Sequence, residues 1–244
     1  MPHMNGLISA IEFLTTIPIR SKNFSLQKSI VFFPIVGMII GSILVGANIL
    51  LKLVFPKMIC DAITVVILIL LTGALHLDGF ADTIDGFFGG RNKNEILKIM
   101  SDEHIGAFAV VGIFCLLLLK FIFIFQMPDN ILYPALILMP ILGKFSMVIS
   151  LVKGNPAKNN GLGSIFLGNA GLLTLIVSGI VTLSCCAFFL NARGVYLFII
   201  ISLIALSFKE YFTAKIDGLT GDTMGAIHEI TELCVLVTIF LLTK

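Results

Sequence analysis

The chain has 244 residues, 58% of them hydrophobic and only 12% charged. Soluble domains carry about 25% charged residues, so too few polar groups are present to clothe a water-soluble globule of this size, and lipid must be the solvent. A net charge of +2 gives no electrostatic footprint for nucleic acid, and no nucleic-acid partner is expected. The composition predicts an all-α, polytopic membrane bundle, with residues 1–244 forming a single integral membrane domain.

The first twenty residues, MPHMNGLISAIEFLTTIPIR, lack a basic leading region and hold Glu12 inside an apolar stretch. That pattern predicts a short amphipathic helix on the membrane surface in place of a cleaved signal peptide. About seven apolar runs of spanning length follow, near 29–51, 58–76, 106–126, 131–151, 169–190, 194–208 and 226–243, the sixth being the shortest. Pro34, Pro134 and Pro140 are tolerable there when neighbouring helices satisfy the freed backbone groups. The five cysteines, Cys60, Cys115, Cys185, Cys186 and Cys234, have no metal-ligand spacing and read as small apolar residues.

Lysine and arginine set the expected orientation. With the first span starting inside, the cytoplasmic segments hold Arg20, Lys22, Lys28, Arg91, Lys93, Lys98, Lys153, Lys158, Lys209 and Lys215, against Lys52, Lys57, Arg193 and Lys244 outside. The same assignment puts every polar motif on or near the cytoplasmic face of the cell membrane.

The stretch HLDGFADTIDG, residues 76–86, directly follows the second apolar run. Asp78, Asp82 and Asp85 stand at i, i+4 and i+7, one face of a helix, with the outer two about 10 Å apart along its axis. Neighbouring carboxylates about 5 Å apart repel by roughly 3 kcal/mol at an effective dielectric near 20. Placing each at mid-membrane depth costs roughly 2.5–3.5 kcal/mol more. A divalent cation removes both penalties, and an all-oxygen ligand set suits magnesium, manganese or calcium. The alternative is a wet, solvated loop, against which stands the interleaving with Phe80, Ala81, Ile84, Phe87 and Phe88.

Further along, Asp102, Glu103 and His104 precede the third run, where acidic residues also suit a helix start. Lys120 sits deep in LLLLKFIFIF and either snorkels or pairs internally. Lys144 either snorkels or points a fixed positive charge into the bundle, where a phosphate or an aspartate would meet it. The loop KGNPAKNNGLGS brings Lys153 together with Gly161 and Gly163, whose backbone amides could cradle phosphate. Thr220, Gly221 and Asp222 form a polar turn entering the last run, inside which lie His228, Glu229 and Glu232. Intramembrane glutamates read by default as functional, with a partner inside the bundle.

These motifs, FFPIVG (32–37), GALHLDGFADTIDG (73–86), IMSDEHIGAF (99–108), the GLG loop (161–163) and GLTGDTMGAIHEITE (218–232), resemble in order the cobalamin synthase family of adenosylcobinamide-GDP ribazoletransferases, over nearly the whole chain. The family's early Thr-Arg-x-Pro reads Thr15-Thr16-Ile17-Pro18 here, so an arginine contact at that position is not carried over.

The resemblance implies a magnesium-dependent membrane enzyme. It joins adenosylcobinamide-GDP to α-ribazole or α-ribazole 5′-phosphate, releasing GMP, with the 3′-hydroxyl of ribazole attacking phosphorus. It implies Asp78, Asp82 and Asp85 as Mg2+ ligands, with Asp222 as a candidate fourth. Candidate acid–base groups are Asp102, His104, His76, Glu229 and Glu232. Candidate substrate contacts are Lys144, Lys153, Arg91, Gly161, Gly163, Thr220 and Gly221. Oligomeric state, including a homo-oligomer, stays open.

Two other readings compete. A CDP-alcohol phosphotransferase also uses aspartates at the end of a membrane helix. Its Asp-Gly-x-x-Ala-Arg signature is absent, because Asp82 directly follows Asp78-Gly79-Phe80-Ala81. A cation-coupled transporter would line an ion path near the midplane with carboxylates, whereas these aspartates gather at one face and no inverted repeat is visible.

Overall fold

A computed structural model describes residues 2–157, 167 and 170–243. Helix α1 (Pro2–Leu14) is followed by α2 (Leu26–Ser29), which passes through a 3-10 turn into α3 (Phe33–Leu51). Then come α4 (Lys57–Thr72), α5 (Leu75–Gly89), α6 (Lys93–Ile99), α7 (Ala107–Gln126) and α8 (Asp129–Leu151). The chain closes with α9 (Leu172–Leu190), α10 (Ala192–Ile216) and α11 (Gly221–Thr243). Among the described residues six helices are long and apolar enough to cross a membrane, and the bent pair α4–α5 raises the number to seven if it counts as one span. The expected short sixth span is in fact 25 residues long, because its polar last turns continue the helix to Ile216. The amphipathic N-terminal helix is present as α1, with Ala10, Ile11 and Leu14 buried.

The core is built around α8, in which every residue from Leu138 to Leu151 is buried. Helices α3, α9, α10 and α11 pack around it. Between lipid-soluble helices little hydrophobic force operates, so close van der Waals approach must hold them together. Gly37 and Gly41, one turn apart on α3, provide it. A Cβ at Gly41 would lie 2.6 Å from Ile137 Cα, and one at Gly37 would collide with the Pro140 carbonyl. Gly41→Leu is therefore expected to separate α3 from α8 and destabilise the bundle by about 1–3 kcal/mol. A lower melting temperature in detergent checks this, and an unchanged one contradicts it.

Polar groups tie the ends of this frame. Buried Asn48 donates to Asp61 (2.9 Å) and to Thr64 (3.0 Å), and Lys57 reaches Asp61 at 2.5 Å, joining α3 to α4. Lys209 donates to the Val152 carbonyl (2.6 Å) and the Ile149 carbonyl (3.3 Å), which satisfies carbonyls left open at the end of α8.

The expected second span over 58–76 does not run straight. Helix α4 stops at Thr72; Gly73 (φ 60°) and Ala74 (φ 57°) both adopt left-handed backbone, and α5 leaves at 91° to α4. Glycine takes that conformation freely, whereas for alanine it costs about 1–2 kcal/mol. The surroundings hold it: Thr16 donates from its backbone N–H to Leu71 O (2.8 Å) and from its hydroxyl to Leu70 O (2.9 Å). The open carbonyls at the end of α4 are thus capped by the α1–α2 connection. The bend decides where the aspartates go, because it turns α5 off the line of α4 and packs it against α7 and α11.

Candidate active site

The helix expected from the aspartate spacing is present, so residues 76–86 are not a wet loop. Asp78 lies exposed in the first turn of α5, Asp82 is half-buried one turn on, and Asp85 is buried. Gly79 stands between the first two and allows α11 to arrive: a Cβ there would lie 2.8 Å from Asp222 Cα. Gly225 similarly abuts the His76 backbone, its would-be Cβ 3.0 Å from His76 O. Two glycines, one on each helix, thus seat the start of α11 on α5, with the Asp222 backbone against Gly79, which stands between Asp78 and Asp82 in the chain.

Asp85 has a different engagement. Its carboxylate accepts the N–H of Gly106 (2.6 Å) and of Ala109 (2.9 Å), the open amides at the start of α7. A charged acceptor suits the positive end of a helix dipole. Gly106 makes the approach possible, since a Cβ there would clash with the carboxylate. Sequence reasoning did not single out Gly106, although a glycine just before an apolar run was the available signal.

The turn before α11 is closed by reciprocal bonds. Thr220 N–H donates to Thr223 Oγ1 (2.9 Å), Thr223 N–H to Thr220 Oγ1 (3.1 Å), and the Thr220 hydroxyl to Asp222 (3.3 Å). Thr220 and Gly221 therefore shape the helix start that presents Asp222. Beside them runs the loop after α8: Leu219 N–H donates to Asn155 O (2.8 Å) and Ala157 N–H to Leu219 O (2.9 Å). Gly218, at φ 151°, admits that loop. Lys153 is exposed at the base of the same loop. Gly161 and Gly163 lie outside the described residues.

Asp102 and His104 stand on the exposed connection into α7, which Asp85 anchors to α5 through Gly106. His104 Nδ1 is 2.7 Å from Asp102 Oδ1, and its backbone N–H donates to the same oxygen at 3.0 Å. These two bonds, the ring one foremost, hold the Asp102 carboxyl below the usual carboxylate range. Arg91, just past the end of α5, is exposed, and its backbone N–H donates to Glu95 (2.9 Å) in the cap of α6.

The remaining expected residues form a buried cluster. Lys120 Nζ lies 2.6 Å from both Glu229 and Glu232. Lys144 Nζ lies 2.6 Å from His76 Nε2 and 3.4 Å from His228 Nε2, which in turn is 3.2 Å from Glu232. Lys144 is thus placed on imidazoles and not on the aspartates, and it does not snorkel. His228, Glu229 and Glu232 offer donor atoms within 4.8 Å of one another, as a metal site would. The Lys120 ammonium already bridges the two carboxylates, so this cluster contains its own cation.

The family model described as cobalamin-5-phosphate synthase matches residues 6–240. An adenosylcobinamide-GDP ribazoletransferase of Geotalea daltonii is 36% identical over 234 residues, 94% of either chain. Its counterpart in Alkaliphilus metalliredigens is 35% identical, covering 98% of this chain and 96% of its own. A third, from Caldanaerobacter subterraneus subsp. tengcongensis, is 33% identical over 96% of both. No solved structure gives a significant match.

Proposed function

The chain belongs to the cobalamin-5-phosphate synthase family, and on that premise we propose that it transfers the adenosylcobinamide phosphoryl group of adenosylcobinamide-GDP to α-ribazole or α-ribazole 5′-phosphate. The observation that carries this reading is the near full-length match to ribazoletransferases, joined to three carboxylates from two helices at one end of the bundle. In the reaction the 3′-hydroxyl oxygen bonds to the phosphorus on the aminopropanol arm, and the bond from that phosphorus to the GMP oxygen breaks. GMP leaves, and the hydroxyl proton passes to a base.

The donor set fits a hard divalent cation, since Asp78, Asp82 and Asp222 offer only oxygen. Those three residues would hold Mg2+, and the chemistry it supplies when bound is neutralisation of the pyrophosphate and of the developing charge on the leaving oxygen. Asp85 supports the site from behind by fixing α7 to α5. His104 is the proposed base. Asp102 orients its ring through Nδ1, leaving Nε2 as the acceptor, the division of labour familiar from carboxylate–imidazole pairs. Lys153 and Arg91, both exposed, are the proposed phosphate contacts. The active site faces the cytoplasm of a cell-membrane protein, a side supported by the ten-to-four distribution of basic residues.

Membranes containing the chain, given adenosylcobinamide-GDP and α-ribazole, are expected to release GMP and form the joined corrinoid. EDTA should stop this and added Mg2+ restore it. Cation flux in vesicles without GMP release would favour the transporter instead.

A further inference from the structure

The buried cluster reaches α5 at His76, two residues before Asp78, and its geometry bears on the aspartates. Glu229 and Glu232 sit about 12 Å and 16 Å along α11 from Gly221, by the helical rise. Within hydrocarbon, a lone carboxylate is expensive and a half-broken buried pair is worse. Two lysines, Lys120 and Lys144, face two glutamates, so the formal charges of the cluster cancel when both histidines are neutral. Only one register of α11 sets both Glu229 and Glu232 at 2.6 Å from Lys120 on α7. A rotation of one residue, about 100°, would turn both glutamates away from Lys120.

The three helices involved close a triangle. Asp85 ties α5 to the start of α7 through Gly106 and Ala109. Lys120, 13 residues further along α7, ties it to α11. Gly79 and Gly225 seat α11 back on α5. The corner where α11 meets α5 is the one that carries Asp78, Asp82 and Asp222.

From this closed arrangement we infer that Lys120 is a positioning residue for the metal site: by gripping Glu229 and Glu232 it sets the register of α11 and hence the place of Asp222 against Asp78 and Asp82. The inference rests on the Mg2+ reading above. Lys120 touches neither substrate nor metal, and acts through the body of α11.

The test is divalent-cation affinity, read without turnover. Mn2+ is titrated into the full-length protein in detergent with GDP present, and the free Mn2+ signal is followed by electron paramagnetic resonance. Two variants are compared with wild type. Lys120→Met/Glu229→Gln keeps the buried charges balanced but removes the grip. Lys120→Arg keeps the charge and can still donate to both carboxylates, but its longer planar head changes the spacing between α7 and α11 that the 2.6 Å lysine contacts set. Both are expected to weaken Mn2+ binding, the first by about tenfold or more, beyond what any loss of folded protein accounts for.

For whichever variant folds, an unchanged Mn2+ affinity overturns the inference. So does a weakening that merely tracks loss of folded protein, because that assigns Lys120 to stability alone. Wild-type protein that binds no Mn2+ at all would instead remove the metal reading on which the inference stands, a distinct failure.

Discussion

Asp82→Asn is expected to lower GMP release by at least about 10³-fold and to abolish its dependence on Mg2+. The substitution keeps the shape of a half-buried side chain on α5 and removes one negative charge. A metal ion contributes several kcal/mol of transition-state charge stabilisation in such displacements, and about 4 kcal/mol corresponds to about 10³ in rate. Helix α5 should survive, because its packing depends on Gly79 against Asp222 and on the Asp85 bonds to α7, none of which involves the altered charge. The measurement is single-turnover GMP release against Mg2+ concentration, with membrane insertion and melting checked alongside. Unaltered release and an unaltered Mg2+ curve would remove Asp82 from the metal site.

His104→Ala should cost about 10²–10⁴-fold in rate, the usual contribution of a positioned base. Its pH–rate profile is the sharper readout. The base must be unprotonated to accept the hydroxyl proton, so activity should fall at low pH as the base is protonated, and His104→Ala should lose that limb. A limb carried by Asp102 would lie at the acid end, because the bond from the His104 ring, and then that from the His104 backbone, hold its carboxyl below the usual carboxylate range. With a depressed value in the folded state, whatever Asp102 contributes to loop stability is present above the ordinary aspartate range and lost only as pH falls through the lower value. Asp102→Asn should retain the limb at a lower rate, since the ring loses its orienting acceptor. A profile unchanged by His104→Ala would point to another base.

The class of fold was legible because it depends on composition and run length. Apolar stretches such as 106–126 and 131–151 announce spans, since in lipid every backbone amide must bond within its own helix. The one-face spacing of Asp78, Asp82 and Asp85 was likewise legible, for helical periodicity is local. Less visible was how that face would be divided. Asp85 looks no different from Asp78 in sequence, yet it is committed to the amides of Gly106 and Ala109, 21 and 24 residues away. Lys144 read as a phosphate contact or a snorkelling charge until His76 and His228 were placed against it by other helices.

The sequence by itself determined a helical membrane bundle, the family to which it belongs, and an acidic face at the edge of one apolar run, since each is written in composition or in near-neighbour spacing. Only the tertiary structure decided that α5 turns 91° away from α4, that the start of α11 at Asp222 meets α5 at Gly79, and that Glu229 and Glu232 close on Lys120. The physical reason is that a buried charge must find its partner wherever the packing of glycine-lined helices brings one, and that packing joins residues more than a hundred positions apart.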